Sequence, residues 1–155
     1  REPFGGCMKA RAFDFCLVTS PGVFGRTVGP RDSEIEALGP LLERLMRRST
    51  ERDWIVAGDF NRPARAAGWS SRAARGWTMS TTSRRIPTSI SARGYRNDYD
   101  HLLLDPRHTR EWTRQSDRLD FVTQLCAGNF EWCLYNVSDH APIYATFSLR
   151  GPDDD

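Results

Sequence analysis

Three short apolar runs punctuate the chain, and each stops at a polar cluster. The run from Phe13 to Val18 in "RAFDFCLVTSP" alternates and then turns apolar, bounded by Pro21 and Gly22, which predicts a strand. Trp54-Ile55-Val56-Ala57 is short and uniformly apolar, the mark of a strand covered on both faces. A third run, Tyr99 to Leu104, is closed by Asp105-Pro106. Between the first two, Ile35, Leu38, Leu42 and Leu45 recur at helical spacing and predict a helix with one apolar face. Ser33 and Glu36 fit a capping box at its start. Gly39-Pro40 falls inside the pattern and predicts a kink, or a restart with Pro40 in the first turn. Strand, helix, strand in that order is a β-α-β unit.

From Arg62 to Asn97 no period is sustained, so the pattern predicts a long surface loop or loops with one helical turn near "ARAAGW". A charged, partly helical stretch follows Pro106, with Leu119, Phe121 and Val122 as its apolar contacts. The last third predicts a strand around Glu131 to Tyr135, a polar turn at Ser138-Asp139-His140, and a final strand from Ile143 to Leu149. The acidic end predicts a disordered tail at 151-155 behind one α/β domain at 1-150.

Composition narrows the class. A chain of 155 residues buries about two thirds of its unfolded surface, so a core without staples is feasible. With 39% hydrophobic and 27% charged residues it is globular, and no apolar run approaches the roughly 20 residues that cross a bilayer. Every one of the 22 basic residues except Lys9 is arginine. Arg62, Arg65, Arg84, Arg85 and Arg93 crowd the segment without period, which reads either as a nucleic-acid-facing surface or as a solvated loop. Cys7, Cys16, Cys126 and Cys133 form no CxxC pair and have no histidine at metal-ligand spacing, so they read as buried thiols in a reducing, intracellular setting. The start "REPFGGCMKA" holds no apolar leader.

The polar clusters carry the chemistry. Asp59 with Asn61, Asp100 with His101, and Asp139 with His140 each close or adjoin an apolar run. An unpaired charge dragged into a core costs several kcal/mol, so these groups belong where water, a metal or a partner meets them. Each pair alone is ordinary turn chemistry. Together, in this order, Gly58-Asp59-Phe60-Asn61, Tyr99-Asp100-His101 and Ser138-Asp139-His140-Ala141-Pro142 resemble the endonuclease/exonuclease/phosphatase superfamily. The resemblance spans nearly the whole chain and includes the lead-in "FDFCLVTSPGVFGR" with "EIEALGPLL".

The resemblance implies half or more of a four-layer α/β sandwich, a mixed, mostly antiparallel sheet with flanking helices, and metal-dependent phosphodiester hydrolysis. It implies that Asp59 orients or deprotonates the attacking water, Asn61 donates to the scissile phosphate, Asp139 helps to hold Mg²⁺ or Mn²⁺, and His140, steered by Asp100, stabilises the phosphorane-like charge. Two departures qualify it. Thr19-Ser20-Pro21 stands where the family carries Asn-x-His, and no early strand supplies a metal-binding Glu. Half a sandwich leaves an apolar sheet face that calls for an N-terminal portion or a partner chain. Three readings therefore stand: a nuclease completed by that other half, a catalytically degenerate scaffold or nucleic-acid-binding subunit, and a phosphatase of phosphoinositides or small phosphoesters.

Overall fold

The computed structural model describes residues 2–20, 22–25, 27–81 and 85–150. The chain opens on a hairpin of β1 (Phe4–Ala10) and β2 (Phe13–Thr19), crosses through α1 (Gly29–Met46), and returns as β3 (Trp54–Asp59) parallel to β2. Short strands β4 (Thr78–Met79), β5 (Ile90–Ser91) and β6 (Gly94–Tyr95) precede β7 (Asp100–Leu104). Then come β8 (Trp112–Arg118), α2 (Phe121–Cys126), α3 (Phe130–Asn136) and β9 (Ile143–Phe147). The main sheet has the order β1-β2-β3-β7-β4, with β2–β3 as its parallel pair; β5–β6 and β8–β9 are separate two-stranded sheets.

Alternation along the strands sorts the residues between two faces. Cys16, Val18, Trp54, Val56, Met79 and Leu103 lie under Ile35, Leu38 and Leu42 of α1 and form the main core. On the other face Phe13 stacks on Phe15 at 4.9 Å and on Phe147 of β9 at 5.2 Å. That cover stops short of the edge strand. Met8, opposite Phe15, and Phe4, opposite Thr19, are exposed, Phe4 to 78%.

Several local expectations are corrected by packing. The helix starts at Gly29 with Pro30 in its first turn, so Ser33 lies inside it and makes no capping box. It also runs unbroken through Pro40. An interior proline costs about 3 kcal/mol, whereas burying Ile35, Leu38 and Leu42 contributes on the order of 1.5–3 kcal/mol each, so the sheet contact wins. The segment around Glu131 to Tyr135 is helical rather than extended, because Asn129 caps it by accepting from the Trp132 N–H at 2.9 Å. β1 and β8 arise where no strand was expected; Gly5 and Gly6 hide the alternation of the first, and charge that of the second. The segment from Arg62 onward has the helical turn expected near "ARAAGW", a 3₁₀ turn at Ala67–Trp69, but also a second 3₁₀ turn at Ala73–Arg75 and strands β4, β5 and β6 that were not expected.

The cysteines are not thiols. Cys7 bonds to Cys16, its direct partner across the β1–β2 ladder, and Cys126 bonds to Cys133, joining α2 to α3. Disulfides of this kind persist in oxidising surroundings, which opposes the reducing setting read from the spacing. Among the described residues no helix is long and apolar enough to cross a membrane. Pro21, Arg84 and the tail at 151-155 lie outside the described residues.

Candidate active site

Asp59 ends β3 and Asp100 begins β7, and the two are direct partners in the antiparallel ladder. Their carboxylates therefore share one face, while Gly58 and His101, the next pair along, belong to the opposite one. Past Asp59 the chain turns sharply at Asn61, whose φ of +52° suits an Asn. The Asn61 N–H donates to Asp59 Oδ1 at 2.8 Å, and its carbonyl accepts from Arg31 Nη1 at 2.9 Å. The loop after β2 presses against this turn. The Gly22 N–H donates to the Asp59 carbonyl at 2.7 Å, and the Val23 N–H to Glu34 of α1 at 2.6 Å. A Cβ on Gly22 would stand 2.6 Å from the Asp59 carbonyl oxygen, and one on Gly58 2.3 Å from that of Ser20, so both approaches require glycine.

Asp139 and His140 arrive from the loop after α3, and that loop is tied to residues that sequence pattern left without structure. The Ile90 N–H donates to the Asp139 carbonyl at 2.7 Å, and the Ala141 N–H to the Thr88 carbonyl at 2.8 Å. The Ser138 hydroxyl closes the turn, accepting from the His140 N–H at 3.1 Å and donating to the His140 carbonyl at 2.9 Å. Thr88 is fully buried, and its Oγ1 accepts from the N–H groups of both Tyr99 and Asp100, each at 3.2 Å. One residue thus links, by its side chain, the strand that carries Asp100 and, by its carbonyl, the loop that carries His140. Sequence reasoning missed it, because a lone Thr in an aperiodic segment gives no signal.

Asp59, Asn61, Asp100, Asp139 and His140 line one cleft of about 360 Å³, together with Gly22 and Phe24. Phe24, also missed, presents its ring 82% exposed. His140 Nδ1 lies 2.7 Å from Asp100 Oδ2, and Nε2 lies 4.0 Å from Asp59 Oδ2. The hydrogen bond that His140 donates to Asp100 raises its pKa above the ordinary imidazole value, against the opposing effect of burial; the charges of Asp100, Asp59 and Asp139 add to the rise. Asp59 is also raised, chiefly by burial, with the Asn61 N–H and His140 pulling it down and Asp100 and Asp139 pushing it up. The cleft thus pairs a carboxylate made more basic with an imidazole that retains its proton more readily.

Among the described residues Asp59, Asp100 and His140 are the group whose ligand atoms, all within 4.8 Å of one another, could hold a metal ion. With Asp139 and Asn61 at the same cleft the donor set is rich in oxygen, which suits a hard divalent cation. Asp139, the metal ligand implied by the resemblance, is in the cleft but not in that trio.

Other predicted positions separate from the cleft. His101 is fully buried between Phe60 and Trp69, and its Nε2–H donates to the Arg62 carbonyl at 2.7 Å. Burial lowers its pKa, so it is a neutral core residue rather than a polar group at a strand end. Arg62 is likewise committed within the fold: Nε and Nη2 grip the Asp32 carboxylate at 2.7 and 3.0 Å, so its fork is not available to nucleic acid. Arg85 pairs with Asp98 at 3.2 Å while staying half exposed, Arg65 is exposed, and Arg93 is exposed at the β5–β6 turn.

The sheet order and the α1 crossover set the Asp100–His140–Asp59 cleft at the ends of β3 and β7 of an α/β fold, and comparison with known proteins specifies that fold. The chain is 32% identical over 158 residues to a deoxyribonuclease of Thioalkalivibrio sp. (strain K90mix), covering 95% of this chain and 43% of that protein. It superposes on an endonuclease/exonuclease/phosphatase family protein from Bacteroides thetaiotaomicron with a TM-score of 0.63 at 14% identity, over 96% of this chain and 57% of that one. D. rerio TDP2 complexed with a single-strand DNA product matches with a TM-score of 0.51 at 17% identity, over 87% and 56% of the two chains. No family model matches the sequence. The chain has the endonuclease/exonuclease/phosphatase fold, and it spans about half the length of the proteins it resembles.

Proposed function

We propose that this chain carries the water-activating and charge-stabilising half of a metal-dependent phosphodiesterase acting on nucleic acid. The observation that supports it is the alignment Asp100–His140–Asp59, with one imidazole nitrogen bonded at 2.7 Å and the other 4.0 Å from a second carboxylate. Asp59 takes a proton from the attacking water as its oxygen bonds to phosphorus. The Asn61 amide donates to a non-bridging phosphoryl oxygen. The His140 imidazolium, held in orientation by Asp100, faces the charge that develops as the P–O bond to the leaving oxygen breaks, and can return a proton to that oxygen. Mg²⁺ or Mn²⁺, bound at Asp139 with carboxylate oxygens of its neighbours, would neutralise negative charge on the phosphoryl group.

The deoxyribonuclease relative and the DNA-complexed neighbour favour a nucleic acid strand as substrate. Phe24, exposed at the cleft, offers a face on which a base or sugar can stack. The exposed Phe4 and Met8 fit a further reading, that the rest of a longer polypeptide or a partner chain covers this end of the sheet.

The test uses the polypeptide encoded by the complete reading frame, with a labelled oligonucleotide as substrate. Cleavage should require Mg²⁺ or Mn²⁺, stop in chelator, and fall by at least about 10² in both Asp59→Ala and His140→Ala, the scale of losing one positioned catalytic group. Cleavage that survives chelator, or either variant at full rate, would contradict the assignment.

A further inference from the structure

A second concavity, of about 510 Å³, begins at Ala64, three residues beyond Asn61, and its walls include Arg65, Trp69, Arg72, Arg85 and Asp98. Three guanidinium groups thus face one carboxylate. That carboxylate is already shared: Asp98 accepts from Arg85 Nε at 3.2 Å and from the Ala64 N–H at 3.1 Å. Arg72 donates Nη1 to the Trp69 carbonyl at 3.3 Å, but its Nε is buried without an acceptor. Trp69 is 3% exposed, and its indole N–H has no acceptor either. Arg65 makes no hydrogen bond or ion pair among the described residues.

Buried donors without acceptors are rare in folded proteins, because each costs the desolvation of the group with nothing in return. Both residues belong to the wall of a cavity in which three arginines outnumber one carboxylate. The complementary ligand is an anion rich in acceptor oxygens, and Arg forks match the geometry of phosphate. Burial also depresses the Arg72 pKa, a loss of hydration that a bound anion would offset.

We infer that this pocket is a phosphate subsite, seating a second phosphate of the strand whose scissile phosphate lies in the cleft. The assignment rests on the phosphodiester reading given above. Three Cα steps of about 3.8 Å separate Asn61 from Ala64, so the two sites are bridged by at most about 11 Å of backbone. A stacked strand advances roughly 3.4 Å per nucleotide, so phosphates at most about three nucleotides apart would reach both. The pocket thereby favours an oligonucleotide over a simple phosphoester.

The experiment is calorimetric titration of the chain with pyrophosphate in excess chelator, followed by displacement with thymidine oligonucleotides. Arg65→Ala, which removes an exposed side chain, should weaken pyrophosphate at least about threefold, and Arg65→Ala with Arg85→Gln at least about tenfold. Circular dichroism verifies that both variants are folded. His140→Ala should leave this binding within about twofold, and an octanucleotide should displace pyrophosphate where a dinucleotide does not. No saturable binding at millimolar pyrophosphate, binding indifferent to the arginine variants, or binding lost in His140→Ala would each overturn the subsite. Equal displacement by the two oligonucleotides would overturn its assignment to a strand. Pyrophosphate binding in a protein whose complete polypeptide cleaves no phosphodiester would leave the pocket standing and remove the proposed function; cleavage without pyrophosphate binding would do the reverse.

Discussion

Asp100 and His140, 40 residues apart in sequence, meet through a hydrogen bond of 2.7 Å that leaves the other imidazole nitrogen turned toward Asp59. The bond makes His140 more basic than a free imidazole, and the consequences of that shift can be measured.

If Asp59 works deprotonated and His140 protonated, kcat/KM should rise as pH climbs through the raised Asp59 pKa and fall as it climbs through the raised His140 pKa. Asp100→Asn removes the largest cause of the His140 shift, so the alkaline limb should move to lower pH. Imidazole resonances followed by NMR titration should move with it. An alkaline limb unchanged in Asp100→Asn would detach His140 from the rate.

The same shift is linked to stability. His140 has its pKa raised in the folded state, so its contribution is fully present below the unfolded value near 6.5 and is lost as pH rises through the folded value. His140→Ala should therefore destabilise more at pH 5.5 than at pH 8.5, read as the change in denaturant midpoint. A destabilisation independent of pH would mean that the hydrogen bond with Asp100 does not persist in solution.

Thr88→Val keeps the shape of a buried side chain and leaves the N–H groups of Tyr99 and Asp100 without an acceptor. The expected cost is about 1–3 kcal/mol for each buried donor left unpaired. Thr88→Ser, which retains the oxygen, should recover most of it. Equal midpoints for the Val and Ser variants would show that the hydroxyl carries none of this.

Reduction tests the cross-links. Opening the Cys7–Cys16 loop, of sequence separation 9, should cost about 2–3 kcal/mol on chain-entropy grounds and lower the melting temperature. The readout is thermal unfolding with and without reductant, beside a thiol count on the denatured protein. Four titratable thiols before reduction would contradict the disulfides.

The isolated 155-residue chain should cleave no DNA with Mg²⁺, since it spans about half the length of the proteins it resembles and carries proline where the resemblance places an imidazole. Its binding of nucleic acid should weaken as salt rises, as for any contact that releases counterions from phosphates. Robust cleavage by the isolated chain, or binding insensitive to salt, would refute this.

The strands that hold Asp59 and Asp100 were legible because a buried parallel or central strand reads as an unbroken apolar run, and the crossover helix because four apolar residues repeat at its spacing. Motif order groups Asp59, Asn61, Asp100, Asp139 and His140, and the cleft contains all five. His101 was misjudged since adjacency in sequence says nothing about face: one residue along a strand reverses the side chain. Arg62 was misjudged because its partner, Asp32, lies 30 residues away on a helix. The disulfides were invisible for a similar reason, as the Cys7–Cys16 pairing depends on a strand, β1, whose glycines conceal it.

Thr88 also changes where the chain can tolerate variation in length. Aperiodic stretches in most domains absorb insertions and deletions freely, and the span from Arg62 to Asn97 has that look. Between Thr88 and Asn97, however, the backbone is stitched on both sides, to the Asn97 carbonyl and to the residues flanking His140. Losing one residue from Thr88 to Ile90 would shift these stitches and draw the imidazole away from its carboxylate. Evolutionary gaps should instead collect at the β5–β6 tip, around Ala92 and Arg93, where a longer turn disturbs neither row of bonds.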